Sequence, residues 1–184
     1  MSHFSYTTEV LIDKIMNLKN IPFGEVEAFN AVIEIPKGSQ EKYEYDPEIE
    51  AIRLDRVLYG SQRFPLNYGF IPQTLAEDGD PADVFLFSTN PLLPGIVAEA
   101  RPIGFIEMVD SGENDNKIVA VPTKDPRFAG IQSLEDLPEH IMKEVQNFLE
   151  TYKVLQGKTV EIKGFAGKDR AIEEIKKTHE SYKA

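Results

Sequence analysis

The sequence predicts a mainly β protein of the α+β class, in which a small closed barrel is packed by two C-terminal helices. Three observations support this prediction. Short strand-like segments separated by turns fill roughly residues 31–122. No helical pattern interrupts them, which favours a barrel over a parallel α/β sheet. Helical spacing of apolar residues appears only later, in the last third of the chain.

Composition sets the first limits on function. Of 184 residues, 20 are basic and 31 are acidic, so the formal net charge is −11. This balance argues against non-specific nucleic-acid binding, because phosphates attract a basic face. The hydrophobic fraction of 41% excludes a disordered chain. The absence of cysteine excludes disulfides, iron–sulfur clusters and thiol nucleophiles, and the three histidines are too scattered for a histidine-rich metal site.

The N-terminal segment predicts a short helix rather than a targeting signal. Residues 7–18 space their apolar side chains as a helix does. We therefore expect an N-terminal helical extension over residues 1–22 and a single domain over residues 23–184. The start lacks a basic region followed by an apolar core, and no apolar run approaches the roughly 20 residues of a spanning helix. We expect a soluble, cytoplasmic protein without a membrane partner.

The middle of the chain predicts six strands, and many of its prolines and glycines fall between them. The strands are expected at residues 32–35, 42–45, 49–56, 83–87, 96–108 and 117–121.

The last third predicts helix, strand and helix. Pro138 suits the first turn of a helix, and Gly157 can end it. A strand is expected at residues 159–162, followed by a terminal helix with Asp169 as its cap. The apolar face of the first helix consists of Ile141, Val145, Phe148, Leu149 and Tyr152. That of the second consists of Ile172, Ile175, His179 and Tyr182.

The most informative segment is an acidic turn, Asp78-Gly79-Asp80-Pro81-Ala82-Asp83, which runs directly into an apolar strand. Carboxylates this close repel one another unless solvent or cations neutralise them, and hard divalent cations prefer oxygen ligands. On its own, such a turn is more often simply solvated. An EF-hand is rejected, because position six of the loop is not glycine and Thr89 stands where the bidentate glutamate belongs.

A second acidic segment, residues 110–117, lies between two predicted strands. Alone it reads as an exposed turn, but a hairpin there could bring Asp110 and Asp115 towards the first cluster. Candidate cations and hydroxyls lie elsewhere along the chain. Lys42 and Glu44 share one face of a strand, and Glu34 interrupts an apolar strand. Three simpler interpretations remain open at this point. In these, the lysines are solvated surface charges, Glu34 lies on the solvent-facing side of its strand, and Tyr152 packs in the core.

Taken together, these segments resemble the soluble family I inorganic pyrophosphatases of bacterial type. Residues 78–84 look like the family signature D-G-D-P-x-D-V. The other matching blocks are residues 32–36, 42–44, 55–56, 65–71, 110–122 and 148–153. The resemblance implies a five-stranded OB-like barrel. It also implies hydrolysis of magnesium pyrophosphate to two phosphates by a metal-activated water, and a homohexamer.

The resemblance also implies roles for individual residues. Asp78, Asp83 and Asp115 look like ligands of tightly held Mg²⁺ ions, for which Mn²⁺ or another divalent cation could substitute. Asp80 resembles the residue that binds metal and orients or deprotonates the attacking water. Asp110 and Glu34 are similar to ligands of metal arriving with substrate, and Glu44 to an acid behind the ligands. The implied phosphate-binding set is Lys42, Arg56, Tyr68, Lys117, Tyr152 and Lys153; Lys42, Arg56 and Tyr68 also count as catalytic.

The implied set is chemically coherent. Its seven carboxylates and four cations would repel a polyanion until several divalent cations are bound. An OB-type module for single strands would need a basic groove, and a calcium-binding module would not need four cations among its acids. Two positions depart from the family pattern. Phe64 stands where many bacterial members have tyrosine, and Ser111 where relatives often have a second acid.

Overall fold

The computed structural model describes residues 18–183. The predicted N-terminal helix falls outside them, apart from a single 3-10 turn at Leu18–Asn20. The described strands and helices, in chain order, are β1 (Gly24–Glu25), β2 (Ala28–Ile35), β3 (Glu41–Asp46), β4 (Ala51–Val57), β5 (Asn67–Phe70), β6 (Asp83–Leu86), β7 (Val97–Asp110), β8 (Glu113–Asn114), β9 (Lys117–Pro122), α1 (Glu139–Thr151), β10 (Val160–Gly167) and α2 (Lys168–Lys183).

Five of these strands close a barrel, as predicted. The hydrogen-bonded order is β2-β5-β6-β9-β7, and β7 pairs again with β2 to complete the ring. All neighbours are antiparallel except β6 and β9, which are parallel. Strands β1, β8 and β10 extend the barrel at β2 and β7, whereas β3 and β4 form a separate two-stranded sheet.

The barrel strands are buried on both faces, which explains their nearly continuous apolar sequences. In β6, Phe85 packs in a core cluster that includes Val145 and Leu149 of α1. Its neighbour Val84 packs in a second cluster that includes Ile175 of α2. The two helices therefore cover the barrel, as predicted. The apolar face of α1 is the predicted one, but α2 buries Ala171, Glu174, Ile175 and Thr178, and Tyr182 of its predicted face is 50% exposed. Within residues 18–183, no helix is long and apolar enough to cross a membrane.

The structure corrects the sequence prediction at several boundaries. Strand β5 was not predicted, because Asn67 and Gly69 are poor strand formers. At Gly69 a Cβ atom would lie 1.9 Å from the Val32 carbonyl oxygen, so glycine is required there by the approach of β2. Helix α2 begins at Lys168, which places Asp169 inside the first turn rather than at the cap.

The end of the first C-terminal helix also differs. Helix α1 ends at Thr151, and Gly157 caps the 3-10 turn that follows, with a φ of 69°. Pro138 occupies the cap position rather than the first turn. Strand β10 continues to Gly167, well beyond the predicted residue 162.

The strand directions place several polar side chains at one end of the barrel. Strands β6 and β9 are parallel and begin side by side, with Asp83 opposite Lys117. Strand β7 is antiparallel to β9, so its last residue, Asp110, lies towards the same end. The acidic turn that precedes β6 is therefore held at this edge of the barrel.

Candidate active site

A cleft of about 730 Å³ opens at this end of the barrel; we call it the barrel-edge cleft. Twelve of the thirteen predicted site residues line it: Glu34, Lys42, Glu44, Tyr68, Asp78, Asp80, Asp83, Asp110, Asp115, Lys117, Tyr152 and Lys153. Arg56 is not among the lining residues. It lies opposite Lys42 in the β3–β4 pair, where its guanidinium bonds to Asp55.

The acidic turn is shaped by its own backbone. The Ala76 N–H donates to the Asp80 carbonyl over 2.7 Å, and the Asp80 N–H donates to Oδ1 of Asp78 over 3.0 Å. Gly79 adopts a φ of 90°, which side chains rarely tolerate. These contacts hold Asp78 and Asp80 on the cleft wall, so the turn is ordered rather than merely solvated.

Thr74 anchors this turn to the barrel. Its buried hydroxyl donates to the Ile71 carbonyl over 2.5 Å and accepts from the Ala82 N–H over 2.8 Å. The Ile71 N–H in turn donates to the Ala82 carbonyl over 2.9 Å. The two ends of the segment are thereby clamped together, which fixes the start of β6.

Lys117 joins two of the predicted metal ligands. Its side chain is almost fully buried, and its ammonium group bonds to both Asp83 and Asp115. Burial alone would lower the pKa of Lys117, but the two carboxylates outweigh it and raise the pKa above its usual value. Lys117 is therefore charged, and an acid at the start of β6 meets one from the connection between β8 and β9.

Glu34 is the most deeply placed acid of the cleft. It lies at a register shift between β2 and β5 and is only 8% exposed. Burial raises its pKa to about 7, and the charge of Asp83 adds to this, although the Tyr45 N–H donates to Oε1 over 2.6 Å. A cation in the cleft would favour the ionised form of this carboxyl.

The acids also influence one another. Partial burial raises the pKa of Asp80, and the charges of Asp78 and Asp83 raise it further. This mutual repulsion shows that the carboxylates crowd one wall of the cleft. We call Asp78, Asp80, Asp83 and Asp115 the acidic wall.

A second group closes the cleft from the side of α1. The ammonium group of Lys153 bonds to Asp110 and lies 5.2 Å from the centre of the Tyr152 ring. Burial tends to raise the pKa of Asp110, but the bonds from Lys153 and Ser111 outweigh it, so the pKa is below its usual value. Burial raises the pKa of the Tyr152 hydroxyl, which keeps it protonated and able to donate.

Tyr68 presents another protonated hydroxyl. Its ring packs edge-on against Phe85 at 4.9 Å and against Phe64 at 5.6 Å. Burial and the charge of Asp83 raise its pKa well above the usual value. Because the ring sits on the barrel wall, the hydroxyl is held at a fixed place in the cleft.

Lys42 stands on the separate β3–β4 sheet. Its ammonium group bonds to Glu44 and lies 3.5 Å from Asp55. Burial lowers its pKa, and the neighbouring charge of Arg56 lowers it further. Two cations are therefore kept close together, an arrangement that suits an incoming anion.

The donors suit a hard divalent cation. The cleft offers carboxylate oxygens and no sulfur ligand, which is the chemistry that Mg²⁺ and Mn²⁺ prefer. Within residues 18–183, however, no three histidine or acidic side chains stand close enough together to enclose an ion as they are. Three of these acids are instead bonded to lysine ammonium groups, Asp83 and Asp115 to Lys117 and Asp110 to Lys153.

Sequence reasoning missed several residues that shape the cleft. Gln73, Thr74 and Leu75 line it through the segment that precedes the acidic turn. Thr74 carried no signal, because a single threonine in a polar turn is unremarkable. Glu77 was also missed, although it directly precedes Asp78.

With this geometry established, the chain can be compared with known proteins. The family model described as inorganic pyrophosphatase matches residues 31–183. The inorganic pyrophosphatase of Geobacillus stearothermophilus is 51% identical over 150 residues, covering 82% of this chain and 89% of that protein. That of Picrophilus torridus is 49% identical over 152 residues, covering 83% and 86%. The crystal structure of inorganic pyrophosphatase from Thermus thermophilus superposes with a TM-score of 0.89 at 47% identity, covering 91% of this chain and 99% of that one.

Proposed function

Since the chain belongs to the inorganic pyrophosphatase family, we propose that the barrel-edge cleft is the place where it acts. As a member of that family, it is an enzyme that hydrolyses inorganic pyrophosphate to two orthophosphates, and it depends on metal. The observation that carries the proposed site is the meeting in one cleft of predicted acids and cations from five strands (β2, β3, β6, β7 and β9) and three turns or loops.

We assign the metal ligands to the acidic wall. Asp78, Asp83 and Asp115 would hold the tightly bound cations, with Asp80 beside them, and Mg²⁺ is the proposed ion. Asp110 and Glu34 would complete the set when substrate arrives, and Glu44 would steady Lys42. Divalent cations held there would neutralise substrate charge and lower the pKa of a coordinated water.

The basic and hydroxyl groups would bind phosphate. Lys42 and Arg56 approach from the β3–β4 side, and Lys117 and Lys153 from the barrel side. Their charges neutralise the charge that develops on the leaving phosphate. The raised pKa values of Tyr68 and Tyr152 keep both hydroxyls as hydrogen-bond donors to phosphate oxygens.

Asp80 is proposed to orient the attacking water and to accept its proton. Its carboxyl is less tightly held than those of Asp83 and Asp110, which lysines engage. Without metal, burial and the charges of Asp78 and Asp83 raise its pKa. Cations bound to those acids would favour its ionised form, which is the form that can accept a proton.

The test is phosphate release from magnesium pyrophosphate. The Asp80→Asn variant should lose about a hundredfold or more of its rate, as expected for removal of a general base, and keep its circular dichroism spectrum. Asp169→Asn, an equal change on the exposed surface of α2, serves as the control and should keep the rate. Equal rates in the wild type and Asp80→Asn, or appreciable turnover in excess chelator, would refute the assignment.

Four finer points remain predictions. Activity titrations with Mg²⁺ and Mn²⁺ test the preferred ion. Sedimentation tests the homohexamer, which the resemblance to bacterial members supports. Cell fractionation tests the cytoplasmic location, and deletion of residues 1–22 tests whether residues 23–184 fold as one domain.

A further inference from the structure

Glu77 connects three parts of the chain beside the acidic wall. Its Oε2 atom accepts a hydrogen bond from the Asn114 side-chain amide over 2.9 Å. Its Oε1 atom accepts one from the Lys177 ammonium group over 2.6 Å. We call these three residues the Glu77 bracket. The family resemblance assigns no role to any of them.

The bracket joins the two segments that carry proposed metal ligands. Glu77 directly precedes Asp78, and Asn114 directly precedes Asp115, so one carboxylate joins the two segments that carry proposed metal ligands. These segments are 37 residues apart between the two bonded side chains. The two segments are paired through the backbone only further along, where β6 and β9 begin with Asp83 opposite Lys117. Among residues 18–183, the backbone hydrogen bonds of turns and loops include none between residues 77–80 and 113–116. The bracket is therefore a side-chain link directly beside Asp78 and Asp115, in addition to the strand pairing.

Helix α2 supplies a fixed point for the bracket. Its residues Ala171 and Ile175 are fully buried in the core, so the helix cannot shift without disturbing that packing. One residue after Lys177, the Thr178 carbonyl accepts the Leu75 N–H over 2.8 Å. The Gln73 carbonyl also lies 2.6 Å from Nδ1 of His179. The segment that leads into the acidic turn is thus attached to α2 at three points, one of which is Glu77.

Beneath the bracket lies a cavity of about 20 Å³, lined by residues of both acidic segments and of α2. There is little free volume there to absorb a relative movement of the two segments. A change in the bracket should therefore shift the positions of Asp78 and Asp115.

We propose that Glu77, fixed by Lys177 and Asn114, is a positioning residue that keeps the segments carrying Asp78 and Asp115 beside each other on the acidic wall, so that both can bind divalent cations. This rests on the proposed function, in which both aspartates are ligands. The ion pair of the bracket should add little to the free energy of unfolding, because about half of each charged side chain is exposed. Its effect should therefore appear in metal affinity and not in the stability of the metal-free protein.

These residues could affect metal binding through their charges alone or through their positioning of the ligands. Substitution of Lys177 separates the two explanations, because they predict opposite changes in affinity. Removing a positive charge near the acidic wall strengthens cation binding through space. Removing an anchor of the bracket weakens it. Asn114→Ala offers a second separation, because it deletes one arm of the bracket without any change of charge.

The experiment measures Mn²⁺ binding to the full-length protein without substrate, by electron paramagnetic resonance. Lys177→Met and Asn114→Ala should each raise the dissociation constant about tenfold, the lower end of the loss seen when outer support of ligands is removed. Lys177→Arg should restore binding. The thermal midpoint in excess chelator should stay the same in all variants.

A matched pair on the same helix provides the control. Lys168 lies at the start of α2 and bonds to Glu27 over 2.6 Å, the same distance as the Lys177–Glu77 pair, away from the cleft. Lys168→Met should leave Mn²⁺ binding unchanged. If Lys177→Met strengthens binding or leaves it as in the control, the bracket is not a positioning device and the inference is wrong.

Failure of the underlying function would look different. If Asp78→Asn binds Mn²⁺ as the wild type does, the ligand assignment itself fails, whatever the bracket variants do. If Asp78→Asn loses binding and Asn114→Ala does not, the ligands stand and only the positioning role of Glu77 is overturned.

Discussion

The acidic wall of the barrel-edge cleft lies on strands and turns of the closed barrel, whereas Lys42 and Arg56 lie on the separate β3–β4 sheet. Lys117, on the barrel side, is 3% exposed and lies between two carboxylates. Lys42, on the other side, has a pKa lowered by burial and by a second cation. The charges on the barrel side therefore stabilise the fold, whereas the cations on the β3–β4 side are placed to bind an anionic ligand.

The largest loss of stability should follow Lys117→Met. Without its ammonium group, Asp83 and Asp115 face each other with uncompensated charge, and breaking a buried pair in this way costs about 3 kcal/mol. Urea unfolding in chelator measures the loss. With Mg²⁺ present the loss should shrink, because bound cations replace the missing positive charge.

The control for Lys117 is Lys143→Met on α1. Lys143 bonds to Glu139 over 2.7 Å, but both side chains are more than half exposed, so the change should cost less than about 0.5 kcal/mol. Similar losses in the two variants would contradict the view that Lys117 joins the site to the fold.

A smaller loss is expected for Thr74→Ala. The substitution leaves the buried Ala82 N–H without its acceptor, which costs about 2 kcal/mol. Since the acidic turn is then less firmly held, Mn²⁺ affinity should fall as well. Thr74→Ser keeps the hydroxyl and should retain metal affinity; a Thr74→Ala protein with unchanged stability and affinity would show that the turn does not depend on this anchor.

The smallest change in stability should come from the β3–β4 side. Lys42→Gln should shift the free energy of unfolding by less than about 1 kcal/mol, because its partner Glu44 is half exposed, and burial and Arg56 disfavour the charged form of Lys42. Its kcat/KM should nevertheless fall about a hundredfold, as expected when one preorganised charge on a reacting phosphate is lost.

Lys163→Gln is the matched control for Lys42. Lys163 bonds to Glu161 on β10, and Lys42 bonds to Glu44 on β3; in each pair the two residues are two positions apart. The control should keep its kcat/KM. A large loss of stability in Lys42→Gln, without a loss of kcat/KM, would reverse the contrast between the two sides.

Much of the barrel could be predicted from the sequence, because strands buried on both faces have apolar residues at almost every position. Segments such as residues 83–87 and 117–121 carry that signal, and α1 carries its helical counterpart in Val145, Phe148 and Leu149. Strand β5 could not be predicted, since Gly69 is required by its contact with Val32, and such a contact exists only once the barrel is closed.

In the site, too, some features could be predicted from the local sequence and others depend on contacts made only in the fold. The acidic turn could be singled out from its own composition, and resemblance supplied the candidate roles of Lys42, Tyr68 and Asp115. The sequence could not show that Lys117 lies between two acids or that Glu34 is buried, because both depend on strand register. Glu77 escaped notice for the same reason: its partners Asn114 and Lys177 are distant in sequence.

The central claim is that acids from separate strands and turns hold divalent cations together at the end of the barrel. Anomalous diffraction from crystals soaked in Mn²⁺ tests it most directly. The account predicts peaks in the barrel-edge cleft about 2.0–2.3 Å from carboxylate oxygens, with at least one ion shared among Asp78, Asp83 and Asp115. Peaks elsewhere, with these three side chains directed apart and no common ion, would contradict it.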